Sequence, residues 1–137
     1  MNVQFVPAIA LAFALLAAPA AAFTFSDGTT AQCVAGGAVV TEIDAQPTDH
    51  ILEVGFGPGM AIREVARRAR YVAGIDFSRA MLTAASKRNA DAIRDGRVDL
   101  RLGDATHLPF ADASFDKAFS IHSIYFWRYP LLVLGEI

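Results

Sequence analysis

The sequence predicts an α/β fold built on a parallel sheet, and three observations carry that prediction. Residues 50–120 alternate short apolar runs with segments of helical period, the pattern of consecutive strand–helix–strand units. A glycine-rich turn follows the first apolar run. Acidic residues then stand at the ends of the next two runs.

The first predicted strand is Ile51-Leu52-Glu53-Val54, ending at Gly55. A helix is expected from about Pro58, a residue suited to a first helical turn, with Ile62, Val65, Ala66 and Ala69 as its apolar stripe. Arg63, Arg67, Arg68 and Arg70, interrupted by Glu64, then read as the solvent face of that helix. The second strand is Tyr71-Val72-Ala73-Gly74-Ile75, closed by Asp76. Ser78 is placed to cap the next helix, which is expected to bury Met81, Leu82 and Ala85. Residues 98–102 alternate as a third strand, and residues 115–121 read as a fourth. Right-handed crossovers put all four strand ends, and the loops that follow them, on one edge.

The ends of the chain differ from this middle. Residues 1–26 carry no charged side chain, and residues 5–25 are an almost unbroken apolar stretch. Residues 8–16 resemble a signal-peptide core, and Ala20-Ala21-Ala22 supplies small residues for cleavage, although no Lys or Arg precedes the core. About 20 apolar residues could also anchor in a bilayer, but Pro7 and Pro19 fit that poorly. Membrane contact, if any, is expected only through residues 5–25, which point to export or attachment. Residues 27–49, with Gly28, Gly36, Gly37 and Pro47, read as a loop-rich lead-in to the domain at 50–137.

The formal net charge of −2 gives no electrostatic reason to expect nucleic acid as a partner. A single cysteine, Cys33, excludes an intrachain disulfide. His50, His107 and His122 are scattered without ligand spacing, so no metal site is expected.

The chemistry concentrates in Glu53-Val54-Gly55-Phe56-Gly57-Pro58-Gly59. Glycines at a strand-to-helix turn allow positive φ and a close approach of backbone to ligand. The following helix start offers free N–H groups and a positive dipole end. Nicotinamide dinucleotide (NAD) sites use a similar turn, so the glycines alone do not choose between ligands. Asp76, at the end of the second strand, can accept from both hydroxyls of a ribose, each bond contributing about 1.5–3 kcal/mol. Asp104 follows the third strand and can accept from an exocyclic amine of adenine, with Ala105, Leu108 and Phe110 as apolar neighbours for the ring. NAD sites need no acid there, and Met60 stands where their turn favours another glycine.

With these residues in place, the chain from about Asp49 to Ile137 resembles the class I S-adenosylmethionine-dependent methyltransferases of the broad type 11 group. Residues 51–59 look like that family's first motif, residues 74–82 like its second strand and following helix, and residues 103–110 like its adenine-contact motif. The resemblance implies a Rossmann-like sheet of order 3-2-1-4 with flanking helices, and S-adenosylmethionine as cofactor. It implies that Gly55 and Gly57 line the methionine part, that Glu53 supports the site through water or the amino group, and that Asp76 serves the ribose, with Gly59 and Phe77 also cofactor-binding. Asp104 and Ala105 would serve the adenine, and Ser120 the sulfonium side. It also implies that the chain stops after the fourth strand, at the start of a helix over residues 130–137. That strand would then have a bare edge through which copies could self-associate.

Methyl transfer to a small-molecule or lipid-like acceptor is therefore expected. Transfer from a sulfonium is an in-line displacement by an already activated donor, so holding the two reactants in line is the main task. A base is required only where the acceptor must lose a proton, and His122 and Tyr125 are positioned for it just beyond the fourth strand. His107 reads as a surface or packing residue, and residues 121–127 as an apolar wall of the pocket. The alternatives are a truncated, non-catalytic relative that binds the cofactor weakly or needs a partner chain, and an NAD-type dinucleotide binder. The cofactor favours the cytoplasm, against the apolar leader.

Overall fold

A computed structural model describes residues 43–137 throughout and, before them, the short strands β1 (Gln4–Val6), β2 (Ala22–Thr24) and β3 (Thr30–Gln32). Then come β4 (His50–Val54), α1 (Met60–Val65), β5 (Tyr71–Asp76), α2 (Arg79–Arg88) and α3 (Ala90–Arg94). The chain continues with β6 (Val98–Leu102), β7 (Lys117–Phe119), a 3-10 turn at Ile124–Phe126 and α4 (Pro130–Glu136). The main sheet has the order β1-β7-β4-β5-β6, with every pairing parallel. Read from β6, this is the predicted 3-2-1-4 order with β1 added.

The residue order of β4 explains why the sheet is covered on both faces. Ile51 and Leu52 point to opposite sides, as period 2 requires, and both are buried. Ile51, Val72, Val98 and Phe119 pack against Ile62, Val65 and Ala85 of the α1–α2 side. Leu52, Val54, Ala73, Ile75 and Ala118 pack against Val133 of α4 on the other face. Each fully buried Ile, Leu or Val contributes about 1.5–3 kcal/mol relative to exposure. Strands buried on both faces read as continuous apolar runs, which is why β4 and β5 are legible.

Several elements differ from expectation. The helix after the glycine turn begins at Met60 rather than Pro58 and is six residues long, although Ile62, Val65, Ala66 and Ala69 are all buried as predicted. The fourth strand is shorter than residues 115–121. Phe115 leaves the ladder for an edge-on ring contact with Phe110, and the Asp116 carboxylate accepts from the His50 amide at 2.8 Å. The edge of β7, expected bare, is paired by β1 through Gln4, Phe5 and Val6. An edge strand presents unpaired N–H and C=O groups, and β1 satisfies a row of them. β2 and β3 pair antiparallel, across the boundary drawn at residue 26 between leader and lead-in. Most of the leader lies outside the described residues, as does Cys33. Ile43 and Ala45, read as lead-in, pack into the core, and Asp49 pairs with Lys117 at 2.9 Å. Among the described residues, no helix is long and apolar enough to cross a membrane.

Candidate functional site

The three glycines of the turn all have positive φ, at +78° for Gly55, +50° for Gly57 and +74° for Gly59, yet they do different work. A Cβ on Gly55 would lie 2.4 Å from the Ser123 Cβ, and one on Gly59 would lie 2.7 Å from the Ala85 Cβ. Those two glycines are required by the protein's own packing. Only at Gly57 is the space beyond the Cα open, and only there does the missing side chain leave room for a ligand. Gly59 itself is buried and does not line the cleft.

The turn is tied to the end of β5. The Gly55 amide donates to the Ile75 carbonyl at 2.8 Å, and the Gly57 amide donates to Asp76 Oδ2 at 2.8 Å. The other carboxylate oxygen of Asp76 accepts from the Ser78 amide at 2.8 Å. Asp76 is buried, and its two oxygens are held by backbone before any ligand arrives. Ser78 also caps α2 by accepting from the Met81 amide, as its position in the sequence predicts.

Asp104 is built differently. It is exposed, and Oδ1 accepts from the Thr106 amide and the Thr106 hydroxyl, each at 2.9 Å. Those two bonds, the amide first, hold its carboxyl below the usual carboxylate range. The loop that follows is pinned from two sides. Arg101 lies over the Phe110 ring at 4.4 Å, and the Leu108 amide donates to Glu136 of α4 at 2.9 Å.

Glu53 sits on the floor of the cleft at 2 % exposure, with Oε2 lacking any hydrogen-bond partner among the described residues. Burial pushes its carboxyl well above the usual range. The Ile62 amide opposes that shift, and the nearby Asp76 charge adds to it.

These groups line one cleft of about 930 Å³ at the C-terminal ends of β4, β5 and β6. Glu53, Gly55, Gly57, Asp76, Phe77, Asp104 and Ala105 border it, so the sequence brought seven of its expected cofactor residues to one place. Its outer wall is Ile121, His122, Ser123, Phe126 and Trp127, and sequence reasoning missed Met60, Arg128, Tyr129 and Val133, which line it too. An apolar helix start at residue 130 was the signal that pointed toward the last three. Ser120 is buried behind the wall, where its hydroxyl meets that of Ser123, and Ser123 Oγ donates to the Val54 carbonyl at 2.9 Å. Of the two residues named as bases, exposed His122 faces the cleft in a left-handed backbone conformation, φ +53°, whereas Tyr125 lies outside its lining. His107 is exposed and lies outside the lining as well.

Known proteins resemble this chain in sequence and in fold. A family model described as "Methyltransferase domain" matches residues 52–137. A demethylmenaquinone methyltransferase of Thermobifida fusca is 39% identical over 79 residues, covering 58% of this chain and 33% of that protein. The chain thus aligns with about a third of the length of such curated relatives. Among solved structures, the [4+2]-cyclase SpnF superposes with a TM-score of 0.66 at 27% identity, over 74% of this chain and 38% of that one. A phosphoethanolamine N-methyltransferase of Haemonchus contortus, solved with S-adenosylhomocysteine, superposes with a TM-score of 0.56 at 25% identity, over 62% and 18%.

Proposed function

The chain belongs to the methyltransferase domain family, and from that premise we propose that its cleft binds S-adenosylmethionine for methyl transfer to a small-molecule or lipid-like acceptor. The observation that carries this reading is the buried Asp76 carboxylate, fixed by the Gly57 and Ser78 amides beside the open space at Gly57. Each of its oxygens keeps a second lone pair for a ribose hydroxyl.

The residues present fit that cofactor. Asp76 and Phe77 would take the ribose, and Asp104 and Ala105 the adenine. Gly55, Gly57 and the Glu53 oxygen, unpartnered among the described residues, would meet the methionine end, where a protonated amine answers that acid. Gly59 and Ser120 would act from behind, by shaping the turn and the wall. When bound, S-adenosylmethionine supplies a methyl group already activated on a sulfonium.

What remains for the chain is to bind, orient and exclude water. Phe126, Trp127 and Tyr129 form an apolar flank on which an acceptor can be held in line, and good orientation is worth about 7–11 kcal/mol. His122, at the cleft, is the residue placed to take a proton from an acceptor hydroxyl. The Gly–x–Gly turn would also suit NAD, but Met60 and the acid at Asp104 speak for the methyl donor.

Calorimetric titration of the full chain with S-adenosylmethionine, with NAD in parallel, tests this reading. One saturable site for S-adenosylmethionine and none for NAD is expected. Saturation by NAD alone, or no heat from a folded sample with either ligand, would overturn it.

A further inference from the structure

From the geometry at the far end of α2, we infer that Asn89, assisted by Arg88, is a positioning residue that latches the glycine turn from 30 residues away. Asn89 is 3% exposed. Its side-chain amide donates to the Gly59 carbonyl at 3.1 Å and to the Ala85 carbonyl at 2.9 Å. Arg88 donates from Nη1 to the carbonyl of Pro58, the residue before Gly59. Two consecutive carbonyls of the turn are thus held by two consecutive side chains of another helix.

The packing shows why the latch is needed. Gly59 has φ +74°, and Ala85 and the Asn89 amide fill the space where its Cβ would stand, at 2.7 and 2.8 Å. The C-terminal end of α2 therefore packs directly against the turn's last residue. On the other side, the Gly57 amide is tied to Asp76. The stretch between them closes through the Gly59 amide, which donates to the Phe56 carbonyl at 3.0 Å. The open space at Gly57 is thus suspended between β5 and the end of α2, and releasing either end lets it move.

Asn89 does this at a cost to α2 itself. It stands at the helix end, and its own Oδ1 is buried without a partner among the described residues. An apolar residue would continue the helical core here with nothing left unpaired. A polar group buried at that penalty points to the contact its nitrogen makes, which is the turn.

The test compares Asn89→Ala and Arg88→Ala with Val98→Ala, a core truncation on β6 outside the cleft lining. Two readouts are taken on the full chain below its melting temperature. The first, amide hydrogen exchange at Gly57 and Gly59 without ligand, does not depend on the proposed function. Asn89→Ala is expected to speed that exchange at least tenfold while Leu52 and Ile75 stay protected, and Val98→Ala is expected not to single out the turn. The second, affinity for S-adenosylmethionine, rests on the proposed function. It is expected to fall about tenfold in Asn89→Ala and two- to fivefold in Arg88→Ala, to recover in Arg88→Lys, and to stay within twofold in Val98→Ala. If Asn89→Ala does not fold, the exposed Arg88 variants decide. Unchanged exchange at Gly57 and Gly59 in every folded variant, or equal loss of affinity in Val98→Ala, would overturn the latch. A wild-type chain that shows the exchange pattern but binds no S-adenosylmethionine would leave the latch standing and sink the proposed function alone.

Discussion

Asp76 and Asp104 end neighbouring strands and border the same cleft, yet one is part of the fold and the other rests on it. Asp76 is buried and grips two backbone amides that belong to different loops. Asp104 is exposed and, among the described residues, its carboxylate grips only Thr106, two residues away in its own loop. A carboxylate with long-range backbone partners cannot be removed without releasing them. A carboxylate with local partners can be. The difference teaches that the ribose side of the proposed site is preorganised, while the adenine side is a loop that is held but replaceable.

Substitutions can break or sharpen that contrast. The largest effect is expected from Asp76→Ala, which removes two charge-assisted bonds of about 1.5–3 kcal/mol each and leaves the Gly57 and Ser78 amides without this partner. Affinity for S-adenosylmethionine is expected to fall by about 100-fold or more, and the melting temperature with it. Calorimetry and thermal denaturation on one preparation check both.

Gly55→Ala comes next and separates the glycines. It forces a side chain into φ +78° and against Ser123, so a stability loss above the roughly 1–3 kcal/mol of backbone strain alone is expected in denaturant titration. Gly57→Ala meets no neighbour within 4 Å, so its loss of stability is expected to be the smaller of the two, with ligand affinity falling instead.

Glu53→Gln is expected to act in the opposite direction. Burial raises the Glu53 carboxyl, so folding favours its protonated form. Its contribution favours the fold below the ordinary carboxylate value and is lost as pH climbs toward the raised one. The wild type is therefore expected to lose stability relative to Glu53→Gln as pH rises from 5 to 8, and melting curves across that range show it. A wild type that gains stability relative to Glu53→Gln toward pH 8 would contradict the burial of this carboxyl.

The smallest effect belongs to Asp104→Asn. About a three- to tenfold loss of affinity and an unchanged melting temperature are expected, because Asn keeps an acceptor oxygen for Thr106 and only the charge is removed from contacts within one loop. A large drop in melting temperature would erase the contrast with Asp76.

How much of this was legible in the sequence follows from the same distinction between local and distant partners. The strands at 51–54 and 71–75 are short apolar runs and 98–102 alternates, each closed by Gly or Asp, and all three are where the sequence put them. The acids at the strand ends were legible for the same reason. The separate duties of Gly55, Gly57 and Gly59 were not, because Ser123 and Ala85, which set two of them, are remote in sequence. Asn89 was invisible because a polar residue near a helix end ordinarily faces water, whereas this one is buried against Gly59. The pairing of β1 with β7 was hidden by the uniform apolar composition around it, which reads as a leader rather than a strand.

The most direct test of the central claim is to map S-adenosylmethionine onto the chain by amide chemical shifts in a ¹⁵N-labelled sample. Saturable changes are expected to concentrate at Gly57, Asp76, Phe77, Asp104 and Ala105, with those at Asp76 and Phe77 abolished in Asp76→Ala. Saturable changes at residues away from this cleft, or none in a folded chain, would contradict that claim.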